Sequence, residues 1–214
     1  MNFHLLMPFY RKFLINALMD HLEPMGLIWY PICDHIDIEP FEDINEKWIK
    51  PALTPKLKIG QETAYKKVND CIDRIDVMDS DYYGFIGDDD MYCPGFIDKI
   101  KQQTAKILIF SCSRGEITPN DSCMYKWPPV DLTITTLGDI RIANIDFCQM
   151  IVKGEILRQM RFGERDVCDD GHYAEGLKNQ WPDDIIILPE IGVNKNYFQP
   201  GRYTIPRNYT LRSK

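Results

Sequence analysis

Residues 82–96 read YYGFIGDDDMYCPGF. Tyr82 to Ile86 is a short apolar and aromatic run of the kind that fills a buried strand. Gly87 to Asp90 carries the chain out of that strand, and Met91 to Phe96 is apolar again, so three adjacent carboxylates are bracketed by chain that belongs inside a protein. Carboxylates held together repel one another, and some must take up protons unless a cation joins them. Hard oxygen ligands of this type suit Mg²⁺ or Mn²⁺ and leave coordination positions open for phosphates. The competing reading is a solvated turn, because aspartate favours turns and exposure.

Working outward toward the N-terminus, Phe3 to Met7 is an apolar run closed by Pro8 and reads as a first buried strand. Arg11 to Leu22 places Leu14, Leu18 and Leu22 four residues apart with Ile15 beside them, an apolar stripe on one helix face. Pro24 and Gly26 stop that helix. Gly26 to Cys33 reads as a second strand ending at Asp34 and His35. Residues 36–60 are of mixed polarity with Pro40, Pro51 and Pro55, and read as a long irregular segment. Glu62 to Met78 is the clearest helix, with Ala64, Val68, Cys71, Ile72 and Ile75 on its buried stripe. Tyr82 to Ile86 is then the third strand. Alternation of strand and helix indicates a parallel sheet with crossover helices. Ligands of such sheets bind beyond the C-terminal strand ends, where Tyr10–Arg11, Asp34–His35 and Asp88–Asp90 would lie.

Toward the C-terminus, Pro94 opens a short helix through Ile100, and Lys106 to Cys112 reads as a strand. Leu132 to Ile151 alternates weakly and predicts short strands, mixed or antiparallel. Gly154 to Met160 and Asp169 to Asn179 read as helices, and Asp184 to Leu188 as a last strand before a loop-rich tail. The expectation is one α/β domain over residues 1–214, with a nucleotide-binding half over about 1–112 and an acceptor-binding half over about 113–214.

The chain has 214 residues, a net charge of −7 and a sequence pI near 5.1. That charge argues against general nucleic-acid binding, which needs a basic face. It does not exclude an anionic ligand, because a bound metal reverses the local sign. Seven cysteines without C-x-x-C spacing argue against a zinc site or a disulfide scaffold. With no signal peptide and no apolar stretch near the ~20 residues that span a bilayer, a cytoplasmic, reducing compartment is expected. Thr210 to Lys214 ends without an evident structural stop, so the chain is compatible with one domain of a longer protein.

The ordered set of segments resembles the GT-A glycosyltransferases, especially the large family 2 group. Their pattern is an apolar strand running into D-x-D and a short apolar turn with a proline; here it is FIGDDDMYCPGFIDKI. Their first strand ends in proline and a turn, here HLLMPFYR. Their second strand ends in an aspartate, here GLIWYPICD with Asp34. The helix before the metal strand carries a basic residue and an asparagine, here YKKVNDCID with Lys66 and Asn69. The resemblance covers about residues 3–110 well and the remainder loosely.

It implies a GT-A, Rossmann-like, mostly parallel central sheet with flanking helices and a small mixed-sheet acceptor region. It implies a Mn²⁺ or Mg²⁺ cofactor ligated by Asp90, with Asp88 on the metal or the ribose and Asp89 near either or near the sugar. Pro8, Phe9, Tyr10 and Arg11 would line the nucleoside pocket, with Asp34 on the base or ribose and Lys66 and Asn69 on the donor. Asp169 and Asp170 take the place of the family's acidic pair. One of them would accept the acceptor's proton if the enzyme inverts, or position groups if it retains; either aspartate also suits a helix N-terminus. A third metal ligand, commonly histidine, is left between His172 and Asn194. The implied partners are a nucleotide-sugar donor, UDP-linked by analogy, and a carbohydrate or other hydroxyl acceptor.

Three other classes compete. A sugar-nucleotide nucleotidyltransferase wants a glycine-rich basic loop after its first strand, where this chain has Met7–Arg11 and no glycine. An aspartyl phosphatase wants D-x-D after the first strand, not the third. A non-catalytic carbohydrate- or cation-binding module would carry a calcium loop such as D-x-D-x-D-G, which is absent.

Overall fold

The computed structural model describes residues 1–33, 41, 44, 46–54, 64–114, 130–163 and 169–195. Among these, nine strands form one sheet: β1 (Phe3–Pro8), β2 (Ile28–Cys33), β3 (Ala52–Leu53), β4 (Tyr82–Phe85), β5 (Met91–Tyr92), β6 (Ile107–Arg114), β7 (Val130–Leu132), β8 (Met150–Lys153) and β9 (Ile185–Lys195). The spatial order is β3-β2-β1-β4-β8-β6-β9-β5, with β7 pairing the far end of β6. The helices are α1 (Ile15–Leu22), α2 (Ala64–Ile72), α3 (Phe96–Lys101), α4 (Gly154–Leu157) and α5 (Asp169–Gln180).

The first four strands in spatial order are parallel. Strand β8 then runs antiparallel between β4 and β6, which restores β6 and its parallel neighbour β9 to the direction of β1. The sheet is therefore mostly parallel, with β5, β7 and β8 reversed. This is the expected α/β class, with the reversed strands falling in or beside the second half.

Side-chain alternation builds two apolar layers. From β1, Phe3, Leu5 and Met7 face one layer while Leu6 faces the other. From β6, Leu108, Phe110 and Cys112 join the first layer, and Ile107 and Ile109 the second. Helices α1 and α3 close the first layer through Leu18, Leu22, Phe96, Ile97 and Ile100. Helices α2 and α5 close the second through Val68, Cys71, Ile72, Tyr173 and Leu177. A strand covered on both faces has no polar side to show, so β1 is a continuous buried run.

Several boundaries differ from expectation. Helix α1 begins at Ile15, after a 3₁₀ turn over Lys12–Leu14. Helix α2 stops at Ile72 instead of reaching Met78, and α4 at Leu157. The irregular segment contains a short strand, β3, beside Cys33. The apolar chain after the triplet is strand β5, pairing Met91 with Asn194 and Tyr92 with Val193.

The last strand runs to Lys195 and not to Leu188. Its register with β6 jumps from Phe110↔Leu188 to Ser111↔Ile191, so Pro189 and Glu190 bulge out of the ladder. A proline is tolerated at such a bulge because it has no N–H to pair there.

Gly84, in the middle of β4, lies under two fully buried rings. A Cβ there would sit 2.4 Å from the Tyr92 hydroxyl oxygen and 2.6 Å from Phe3 Cζ. Gly84→Ala is expected to cost about 1–3 kcal/mol through overpacking. Urea denaturation measures this, and an unchanged midpoint would show that the layer yields more easily than its packing implies.

Candidate active site

Two chain segments meet at the C-terminal ends of β1 and β4. Strand β1 ends at Pro8 and delivers Tyr10 and Arg11. Strand β4 delivers a tight turn in which the Asp90 N–H donates to the Gly87 carbonyl at 3.1 Å. The Gly87 N–H donates to Asp90 Oδ2 at 3.2 Å, which folds that carboxylate back over its own turn.

Asp88 joins the two strand exits. Its Oδ2 accepts from the backbone N–H groups of Tyr10 at 2.8 Å and Arg11 at 2.7 Å. Its Oδ1 accepts from Arg11 Nη1, while Arg11 Nη2 reaches Asp89 Oδ2 at 3.2 Å. Burial penalises the Asp88 charge, and the guanidinium and the two N–H groups oppose that penalty. For Arg11, burial likewise works against the charge, but Asp89 and Asp88 outweigh it and hold the guanidinium above its ordinary range.

A cleft of about 390 Å³ opens beside this junction. Pro8, Tyr10, Arg11, Asp88, Asp89 and Asp90 line one side of it, and Ala64, Tyr65, Asp146, Phe147, Asp170 and Lys195 the rest. Thus residues from both halves of the chain share one pocket.

Asp170 is fixed by two backbone donors, Phe147 N–H at 3.1 Å and Gly171 N–H at 2.8 Å. Burial first, then the neighbouring Asp146, push its pKa up to about 6. Tyr65 lies in hydrogen-bond contact with Asp170, and burial and that carboxylate drive its phenol upward.

The expected site residues divide cleanly. Pro8, Tyr10, Arg11, Asp88, Asp89, Asp90 and Asp170 line the cleft. Phe9 points the other way, fully buried against Phe41 at 5.0 Å and Trp29 at 6.3 Å, because neighbouring residues of extended chain face opposite sides.

Lys66 pairs with Asp70 along its own helix at 3.6 Å and is not among the lining residues. Its neighbour Lys67 is fully buried instead, with Nζ 4.1 Å from the centre of the Tyr10 ring. Asn69 is buried and clamps Phe162, donating to its carbonyl at 2.9 Å and accepting from its N–H at 3.1 Å. Asp169 is buried beside Gly163, where an added Cβ would meet its Oδ1 at 2.4 Å.

His172 is exposed and Asn194 donates to Cys93 Sγ at 3.5 Å; neither lines the cleft. Asp34 lies outside the described residues.

Sequence reading missed Asp146, Tyr65 and Lys195. The signal for Asp146 was its place before Gln149, a capping pair in which the Asp146 N–H donates to Gln149 Oε1 at 2.8 Å. Lys195 lies seven residues beyond the expected strand end at Leu188, and only the bulged continuation of β9 carries it to the cleft.

No protein-family model and no curated protein matches this chain. Solved structures do. A complex of S. aureus TarS 1–349 with UDP-GlcNAc superposes with a TM-score of 0.58 at 14% identity, covering 91% of this chain and 58% of that one. The same protein with UDP gives 0.54 at 15% identity, over 91% and 60%. The inositol-1-phosphate CTP transferase of T. maritima gives 0.53 at 11% identity, over 91% and 89%. The fold is therefore a GT-A-like α/β fold. At these identities the likeness is one of architecture, and the chain spans little more than half of the TarS polypeptide.

Asp170 yields a pH prediction. Its folded-state pKa of about 6 lies above the ordinary carboxylate value, so between the two the folded protein binds more protons than the unfolded chain. Stability attributable to this group is complete below the unfolded value and falls as pH rises toward about 6. Asp170→Asn should therefore raise the melting temperature at pH 8, by the equivalent of about 2 kcal/mol, and give no gain near pH 4. Melting curves in chelator check this; a gain of equal size at both pH values would refute the assigned cause.

Proposed function

We propose that this chain is a metal-dependent glycosyltransferase that moves a sugar from a nucleotide-sugar donor, UDP-linked, to a hydroxyl of a glycan or similar acceptor. One observation carries the reading: the acidic turn after β4 and a half-buried carboxylate with raised pKa, Asp170, line the same cleft at the C-terminal sheet edge. That edge is where ligands of such sheets bind. The TarS complexes, of like fold, hold UDP-GlcNAc and UDP.

The cleft's charge supports a cation. Five carboxylates line it against two basic side chains, Arg11 and Lys195. A nucleoside diphosphate adds more negative charge and needs compensation. Among the described residues no three acidic, histidine or cysteine side chains converge into a metal shell. Mg²⁺ or Mn²⁺ needs only one or two carboxylates where substrate phosphates complete its shell. Asp90, with Asp89 beside it, would hold the ion, while Asp88 keeps the turn in place. When bound, the metal supplies Lewis-acid stabilisation of the departing diphosphate.

The protein's own residues supply the rest. Tyr10, half-exposed over the buried Lys67, offers a ring face to a nucleobase. Asp170, ionised at neutral pH, is placed to take the acceptor's proton at one of its carboxylate oxygens. Phe147 and Gly171 hold that carboxylate in position through their N–H groups.

A nucleotidyltransferase is the second reading, supported by the T. maritima likeness. Such an enzyme needs backbone N–H groups after its first strand to cradle a triphosphate. Here the N–H groups of Tyr10 and Arg11 donate to Asp88, which favours the transferase.

Calorimetric titration with UDP in Mn²⁺ and in chelator tests the proposal. Binding should require the metal, and Asp90→Ala should weaken it by about tenfold or more. UTP turnover with a sugar phosphate and pyrophosphate release would move the assignment to the second reading. Failure of every nucleoside diphosphate to bind in Mn²⁺ would end both.

A further inference from the structure

Two cations line the cleft among the described residues, Arg11 and Lys195. Arg11 is engaged by Asp88 and Asp89, and two of those contacts fix the chain between β1 and α1. Lys195 stands across the cleft at the end of β9, and its ammonium is paired with Asp146 Oδ2. Both side chains keep an opening to the cleft, at 18% and 20% exposure.

The two partners of this pair differ in freedom. Asp146 is fixed: its Oδ1 accepts from Cys148 N–H at 3.4 Å, and its backbone is locked to Gln149 in both directions at 2.8 Å and 2.9 Å. Gln149 is fully buried and donates to the carbonyls of Phe110 at 2.8 Å and Leu132 at 3.0 Å. Lys195 is a point charge on a flexible four-carbon stem, able to redirect its donors without moving the strand. Burial opposes its charge, but Asp146 and Asp90 offset that and keep the ammonium protonated.

We infer that Lys195 is an exchangeable phosphate ligand: it rests on Asp146 and transfers to the donor's diphosphate, where it supplies a protein-borne cation beside the metal. The inference rests on the nucleotide-donor reading of the cleft. It adds a residue that the acidic turn does not provide and explains why a lysine is kept charged in a pocket otherwise lined by carboxylates. The exchange is electrostatically reasonable because a diphosphate offers Lys195 more negative charge and more acceptor oxygens than the Asp146 carboxylate does. Asp146 retains its Cys148 donor after the lysine leaves, so its carboxylate is not stranded.

The experiment titrates UDP, CDP, GDP and ADP, with Mn²⁺, into wild type, and then titrates the diphosphate that binds and its parent nucleoside into K195M, K195R and D146N. Lys195→Met should weaken the diphosphate about tenfold and leave the nucleoside within twofold. Lys195→Arg should restore most of the loss. Asp146→Asn removes the resting partner and should tighten the diphosphate about threefold, an effect that a purely structural ion pair would not produce.

Equal diphosphate affinity in wild type and Lys195→Met overturns the inference and leaves the donor reading intact. No diphosphate binding by wild type overturns the donor reading and this inference with it. If Lys195→Met fails to fold, Asp146→Asn decides: tighter diphosphate binding supports the exchange, and unchanged or weaker binding refutes it.

Discussion

The carboxylate of Asp88 is 1% exposed and ties together two strand ends that are 77 residues apart in sequence. Burying a charge is costly unless hydrogen bonds or an opposite charge replace water. Here two backbone N–H groups and a guanidinium do so. The consequence is geometric. The chain leaving β1 must turn at Tyr10 and Arg11 so that their N–H groups face Asp88. The chain leaving β4 must turn at Gly87–Asp90 so that Asp88 faces inward. With Asp88 buried, Asp89, Asp90 and the Tyr10 ring are left lining the cleft. The rest of the site inherits its shape from this junction.

That junction also separates the roles of three residues that look alike in sequence. A run of aspartates invites a uniform reading as metal ligands. In the fold, Asp88 is saturated by donors from the neighbouring strand, Asp89 pairs with the same guanidinium, and Asp90 folds onto the Gly87 N–H. A divalent ion would have to replace the Arg11 guanidinium to reach Asp88, whereas Asp90 accepts from the neutral Gly87 N–H.

The parallel half was legible because its signals are local. Apolar runs in β1, β2 and β4 and the four-residue spacing in α1 are read within single segments, and burial on both sheet faces leaves His4 as the only Asp, Glu, Lys, Arg or His residue within those three strands. The meeting of Tyr10, Arg11 and the triplet followed from a general property of parallel sheets. What failed was phase and long-range pairing. Lys66 and Lys67 differ by one helical step of about 100°, and only packing decides which of them enters the core. Phe9 differs from Tyr10 by one step of extended chain. Asn69 looked like a polar ligand on a buried stripe, but its amide satisfies the backbone of Phe162, 93 residues away. Lys195 was hidden by Pro189, which normally ends a strand; the ladder with β6 survives by bulging around it.

The second half contributes differently from the first. Strand β8 is inserted antiparallel between β4 and β6, and the 3₁₀ turn that precedes it carries Asp146 and Phe147 to the cleft. Strand β9 brings Lys195 from the other flank, and α5 lowers Asp170 between them with its carboxylate on the Phe147 N–H. A nucleotide-binding frame alone could grip a phosphate, but it has no reason to hold a carboxylate in a half-buried place where its pKa rises to about 6. Such a group is costly in the folded state and useful only if a proton must be moved near neutral pH. A nucleotidyl transfer attacks with a phosphate that is already anionic and needs no base. A hydroxyl acceptor does need one. Within the proposed function, the raised pKa of Asp170, more than the acidic turn that first draws attention, is the feature that favours a hydroxyl acceptor.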